Sequence, residues 1–131
     1  MLKTSCAMET LHLLEGGFRR RGLRCGFFDG RYNLSVFHDR GHFKVGMFPG
    51  NRRILIAFDS FVEPAFRGQG LGRRLLRLRQ DVARESGINL MLATVRDDNR
   101  VERHLLRRVG WFVLAPRPET GVSMWAKRLR R

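Results

Sequence analysis

Apolar residues run almost without interruption through ILIAFDSFV (residues 54–62), the pattern of a strand buried at the centre of a sheet. Past it the period changes. Leu71, Leu75, Leu78 and Val82 fall at i, i+4, i+7 and i+11, which lays one apolar stripe along a helix that Gly87 ends. INLMLATV (88–95) restarts as a second buried strand. In DDNRVERHLLRRVG (97–110), Val101, Leu105 and Val109 share one side of a short helix closed by Gly110. WFVLA and GVSMWAKRL predict two closing strands joined by PRPET. Upstream, Met8, Leu11 and Leu14 predict a helix over about residues 5–15, stopped by Gly16-Gly17 and followed by FRRRGLR, a basic surface stretch. LRCGFF, RYNLSVFH and HFKVGMF are strand-like runs separated by DG and DRG turns. The last two form an antiparallel hairpin, and PGNRR turns the chain into the central strand.

The order is therefore helix, antiparallel strands, central strand, helix, strand, helix, strand, strand. It predicts a single α/β (α+β, mixed-sheet) domain over residues 1–131, without repeats or linkers. The central strand, its crossover helix and the next strand make a βαβ unit, which puts a ligand site at the strand's carboxyl end. A chain of 131 residues, 43% hydrophobic, suffices for one core. No apolar run approaches the ~20 residues needed to cross a bilayer, so no membrane partner is expected. The N-terminal stretch, broken by Glu9, His12 and Glu15, is a poor signal peptide. A cytoplasmic location is expected, with Cys6 and Cys25 as reduced thiols. His38 and His42 bracket the DRG turn, but no cysteine pair or HExxH pattern accompanies them, and no metal is expected.

Charge changes the picture more. The formal net charge is +14, and 23 of the 26 basic residues are arginine. Such an excess favours acidic partners, phosphate-bearing ligands or nucleic acid. Arg19-Arg20-Arg21-Arg24, Arg52-Arg53, Arg107-Arg108 and Lys127-Arg128-Arg130-Arg131, merged into one patch, would bind nucleic acid with a steep salt dependence. Dispersed, they are an ordinary solvated surface.

A phosphate ligand is the expectation at RGQGLG (67–72). Gly68, Gly70 and Gly72 lack Cβ atoms, so backbone N–H groups can approach a ligand closely. The loop opens a helix whose free N–H groups and dipole favour an anion, and Arg67 adds a charge at the entrance. A P-loop requires GxxxxGK[ST], and no lysine follows these glycines. The dinucleotide fingerprint requires GxGxxG, whereas the spacing here is GxGxG. Val62, Pro64, Arg67, Gly68, Gly70 and Gly72 instead spell V-x-P-x-x-R-G-x-G-x-G, which resembles the acetyl-CoA loop of the GNAT superfamily of N-acetyltransferases. Asn99, Leu105 and Gly110-Trp111 resemble that family's N…L…GF signature. The resemblance covers roughly residues 54–114. It implies a central mixed sheet flanked by helices, with an abbreviated N-terminal half.

It also implies a cosubstrate, acetyl-CoA. The loop amides of Gly68, Gln69, Gly70, Leu71 and Gly72 would cradle its pyrophosphate, with Arg67 at the loop's entrance. Phe61 and Val62 would pair with the pantetheine arm through their backbone, and the thioester would lie where that strand splays from the next. Asn99 matches a cofactor-contacting position, and is equally an N-cap for the following helix, boxed with Glu102. Arg73, Arg74 and Arg100 are candidates for the 3′-phosphate, or form an ordinary solvated helix face.

Transfer to an amine requires a neutral nucleophile, a polarised carbonyl and an acid for the departing thiolate. Family members usually carry a tyrosine as that acid four residues before the GF pair. The matching position here is Leu106, and the only tyrosine, Tyr32, lies in the hairpin region. Asp59, interrupting the central strand on one face with Phe61 and Glu63, is the leading candidate base, and Glu63 the second; Ser123 and His104 have unfavourable spacing. The expected function is acetyl transfer from acetyl-CoA to an amine acceptor, protein or small molecule. The alternative is a GNAT-fold protein that binds CoA, or an acidic protein or nucleic acid through its arginines, without catalysis. Exposure of Met124 or Trp125 on the last strand would point to a homodimer.

Overall fold

The computed structural model describes residues 2–29, 32–117 and 119–129; the side chains of residues 2–7 and of Arg117 are outside that description. Gly30 and Arg31 of the DG turn, Pro118 of PRPET, the Cys6 thiol and the terminal Arg130-Arg131 thus lie outside the described residues. Helix α1 (Leu2–Arg20) leads into β1 (Arg24–Phe28), β2 (Asn33–His38), β3 (Gly41–Phe48) and β4 (Asn51–Val62). A short 3-10 turn (Pro64–Phe66) precedes α2 (Leu71–Glu85), β5 (Leu90–Arg96), α3 (Arg100–Arg108), β6 (Phe112–Arg117) and β7 (Val122–Arg128). The strands form one seven-stranded sheet in the order β1-β2-β3-β4-β5-β7-β6, which makes β4 central. All pairs are antiparallel except β4–β5, the parallel pair joined by α2. No helix among the described residues is long and apolar enough to cross a membrane.

Helix α1 does not stop at Gly16-Gly17; it continues to Arg20. The reason lies in packing. A Cβ on Gly17 would meet Val82 Cγ1 of α2 at 2.7 Å, so the glycine lets two helices touch. The extension carries Phe18 into the core, and Leu23 follows it, so FRRRGLR is not simply surface: its apolar residues are buried and Arg19, Arg20, Arg21 and Arg24 are exposed. Leu11, Leu14 and Phe18 of α1 meet Leu34, Val36, Phe43, Val45, Leu55 and Ala57 of the sheet and Leu75, Leu76 and Val82 of α2 in one cluster. Burying that apolar area is the main favourable term in folding.

Two further details differ from expectation. In α3 Leu106 is the fully buried residue; Leu105 and Val109 pack against the core as the spacing predicts, but Val101 is 81% exposed. Strand β6 runs through Pro116 and Arg117 rather than ending before PRPET; as the sheet's last strand it tolerates a proline. Trp125 is buried, roofed by the Arg107 guanidinium 5.4 Å from its ring centroid, and Met124 beside it is half-buried.

Candidate functional site

Strands β4 and β5 pair from Ile54↔Leu90 to Ala57↔Ala93 and then part. Beyond that point β4 continues to Val62 beside β3, and β5 continues to Arg96 beside β7. The splay leaves backbone groups on the facing edges of Phe58–Val62 and Thr94–Arg96 without ladder partners in each other. A bulge marks the same place. His42 pairs with Phe61 and Lys44 with Phe58, so Asp59 and Ser60 oppose the single residue Phe43. Asp59 adopts φ +51°, an uncommon conformation for a non-glycine residue.

The bulge decides the fate of the two candidate carboxylates. Asp59 does not share one working face with Phe61 and Glu63, because an extra residue resets the alternation. Its carboxylate accepts from Lys44 Nζ at 3.1 Å and lines a small cavity of about 160 Å³ between β4 and β5. Phe61 lines a larger cavity of about 510 Å³ on the other side of the splay. Glu63 is exposed and lines neither.

The larger cavity runs from the glycine loop to the splay. Its outer end holds Val62, Arg67, Gly68 and Gly72, and its wall is completed by Leu75, Val101 and Leu105. Gly68 and Gly70 have φ +79° and +83°, and added Cβ atoms there would meet nothing within 4 Å. The loop faces open space and needs glycine for conformation rather than for room. Gly70 is the N-cap of α2 and supplies no side-chain cap, so the first amides of the helix keep their hydrogen-bonding capacity. This is the arrangement a pyrophosphate requires. Arg67 folds back, its Nε donating to Val62 O at 2.8 Å with the guanidinium 5.3 Å over the Phe61 ring. Gln69 donates to Ala65 O at 3.5 Å, Leu71 is buried at the helix start, and Arg73 is half-buried behind it.

Asn99 is the N-cap of α3: its Oδ1 accepts from Glu102 N at 3.1 Å. Only half of the expected capping box forms, since Asn99 N donates to Arg96 O. Asn99 also lines both cavities, so the capping residue is open to them as well. Arg74 and Arg100 are exposed near the two helix starts. Ser123 donates to Asp97 Oδ1 at 2.6 Å and His104 is exposed; neither lines a cavity. Cys25 is a free thiol that burial pushes up to about 11, so it is protonated at neutral pH. Among the described residues no group of three or more histidine, cysteine or acidic side chains is placed to hold a metal.

The inner end contains what the sequence pattern concealed. Arg79 sits on the buried side of α2, 3% exposed, with Nη1 donating to Ser60 Oγ at 2.9 Å and its guanidinium 5.3 Å over the Phe43 ring. Arg79, Ser60, Asn99 and Glu102 line both cavities, which therefore meet at these four residues. Burial lowers the arginine to about 10, and burial raises the Glu102 carboxyl, with the Arg79 charge opposing that rise. Gln80, also buried, accepts from Trp111 Nε1 at 2.7 Å, which fixes the tryptophan of the GW pair. Leu106 is fully buried and lines neither cavity. A polar residue on an apolar helix stripe was visible in the sequence as arginine at 79, but so many arginines elsewhere hid it.

The molecule is similar to known proteins. One similar sequence is the L-amino acid N-acyltransferase MnaT of Escherichia coli, 38% identical over 63 residues, 48% of this chain and 37% of that protein. Another is the L-methionine sulfoximine/L-methionine sulfone acetyltransferase of Salmonella typhimurium, 36% identical over 71 residues, 54% of this chain and 42% of that protein. The matched stretches thus span less than half of either relative. Among solved structures, yncA of Salmonella typhimurium with its cofactor acetyl-CoA aligns with a TM-score of 0.66 and 26% identity, over 76% of this chain and 65% of that one. Residues 35–111, more than half of the sequence, match the acetyltransferase (GNAT) family. With the mixed sheet, the splay after Ala57 and the glycine loop before α2, that match settles the family: the chain belongs to the GNAT acetyltransferases.

Proposed function

We propose that the protein transfers an acetyl group from acetyl-CoA to a small amine, with an α-amino acid as the favoured acceptor class. The observation that carries this reading is the glycine loop, opening an uncapped helix onto a cavity that leads to the β4–β5 splay. The names of the two bacterial relatives support an amino-acid amine over a protein one. The amides of residues 68–72 would hold the pyrophosphate, with Arg67 and Arg73 adding charge. Phe61 and Val62 would pair with the pantetheine through backbone groups, and Asn99 would meet it from α3.

In the transfer, the amine nitrogen bonds to the thioester carbonyl carbon, the C–S bond breaks, and its electron pair leaves on sulfur. The nitrogen gives up one proton. Asp59 is the better placed of the two candidate bases, because it lines the smaller cavity at the splay, whereas Glu63 lines neither. Its ion pair with Lys44 is exposed enough to open at small cost. Positioning in the splay supplies much of the acceleration for an already activated thioester.

The test is calorimetric titration of acetyl-CoA and CoA into the protein and into Gly70→Glu. The glutamate puts bulk and negative charge where the pyrophosphate sits. Micromolar binding that disappears in the variant supports the site and justifies a screen of amino-acid acceptors with Asp59→Ala as control. Failure of the wild-type protein to bind either ligand overturns the reading.

A further inference from the structure

Arg79 is difficult to explain as a structural residue. Leu71, Leu75, Leu76, Val82 and Ala83 surround it on the buried side of α2, and a charge on such a stripe pays for its dehydration. No carboxylate lies within ion-pair distance of it among the described residues, and its buried Nε has no hydrogen-bond partner there. The nearest electrostatic partner, Glu102, holds its proton more tightly than an ordinary glutamate because it is itself buried. The site is thus a desolvated, undercompensated positive charge at the junction of two cavities.

Its depth indicates which anion it serves. Arg79 lies eight residues past Leu71, so its Cα is about 12 Å along α2 from the phosphate-binding end. That is too deep for the pyrophosphate. The Ser60 contact brings the guanidinium to the bulge, where β4 has just parted from β5. The group of the acyl donor that reaches the splay is the thioester, and the anion produced there is the thiolate. No tyrosine stands at 106 to protonate it, and Leu106 faces the core.

Resting on the proposed acetyl-CoA reading, we propose that Arg79, with the Ser60 hydroxyl, binds the CoA sulfur as it leaves and stabilises it as a thiolate, in place of a proton-donating acid. As the C–S bond breaks, the sulfur takes the electron pair as an anion. The amine proton passes separately to Asp59 or to solvent, so the products are the amide, CoA thiolate and one proton. Arg79 stays protonated throughout. An adjacent arginine lowers a thiol's pKa by the same physics in proteins, and a charge already fixed in place needs no reorganisation to do it. Glu102 of α3 is the other titratable group at the junction; elsewhere His42 of β3 and Arg67 of the loop line the larger cavity, and Asp59 of the bulge and Arg96 of β5 line the smaller one. Of these, Glu102 opposes the thiolate when ionised, and burial raises its proton affinity.

The test reads the bound thiol directly and needs no acceptor. CoA is bound to the wild-type protein, Arg79→Met and Arg79→Lys, and the thiolate absorbance is followed against pH. The wild-type complex is expected to ionise at least about one pH unit below free CoA, a ten-fold gain in thiolate. Arg79→Met should ionise like free CoA, and Arg79→Lys should fall between. In parallel, the affinity of wild-type protein for CoA relative to S-methyl-CoA, which cannot ionise, should rise with pH. CoA that binds without a shifted thiol, or a shift that survives in Arg79→Met, overturns the role of Arg79 and leaves the acetyl-CoA site standing. Absence of CoA binding in the wild type overturns both. If the methionine variant does not fold, the wild-type titration and the S-methyl comparison still decide.

Discussion

The two ends of the main cavity are built on opposite principles. The outer end is backbone: left-handed Gly68 and Gly70, an uncapped helix start, and side chains that lie back from the loop. The inner end is side chain: buried Arg79, half-buried Glu102 and the more exposed Ser60, joined by few hydrogen bonds. A backbone site can be read from glycine spacing, because the geometry itself demands the residue type. A side-chain site made of single polar residues on apolar faces carries no such spacing. The contrast teaches that a family loop and the chemistry beside it can diverge independently.

The sharpest way to break the contrast is to restore the missing tyrosine. Leu106 is fully buried and faces the core rather than either cavity. Leu106→Tyr should therefore cost about 3 kcal/mol, from overpacking and an unsatisfied hydroxyl, measured as a drop in denaturant midpoint. CoA affinity should stay unchanged. A stable variant with faster turnover would mean that position 106 can reach the leaving group after all, and that the inner end has an acid site waiting to be filled.

Next in size is Gly70→Ala. The new methyl meets nothing, so only the left-handed φ of +83° resists it. The cost should be about 1–2 kcal/mol of stability. Comparison with Ala at a position of ordinary φ in the same helix, such as Arg74→Ala, isolates the backbone contribution. Equal stabilities for the two variants would show that the loop is not held in the left-handed conformation and that the outer end is not preorganised.

What the sequence made legible follows the same division. The element order, the central strand, the crossover helix and the glycine loop are all periodic or positional signals, and the structure carries them. Gly16-Gly17 misled because glycine has two uses: ending a helix and letting another helix approach. Only the Val82 contact tells them apart. Asp59 misled because one bulged residue shifts a strand's alternation, and its positive φ has no sequence signature in an aspartate. Arg79 and Gln80 were hidden for a third reason: on a helix rich in arginine, the one that points inward differs from its neighbours by angle alone. Trp111 could have exposed Gln80, since a buried indole N–H needs an acceptor.

Asn99 lines both cavities where they meet, and its variants sharpen what that junction does. Asn99→Ala removes the acceptor for Glu102 N and should cost about 1 kcal/mol. Asn99→Ser should recover most of that stability, because a serine caps about as well. CoA affinity separates the roles. Affinity that returns with serine means Asn99 acts by holding α3 in place; affinity that stays low with serine means the longer amide itself meets the ligand.

The smallest effect is also the most specific to the inner end. Burial raises the Glu102 carboxyl above its ordinary value of 4.5, so the folded protein keeps a proton that the unfolded chain releases. By linkage, the stabilising contribution is fully present below 4.5 and is lost as pH rises through the raised folded value. Asp39 and Glu85, held down by Arg24 and Arg21, have the opposite sign, losing their contribution as pH falls. The whole-protein profile mixes these signs, so the difference between wild type and Glu102→Gln is the quantity to measure. The variant should match the wild type at low pH and gain on it as pH rises past the glutamate's ionisation, then run parallel. A variant that instead loses ground with rising pH would show that Glu102 is ionised in service of Arg79, and that the inner end is a compensated ion pair.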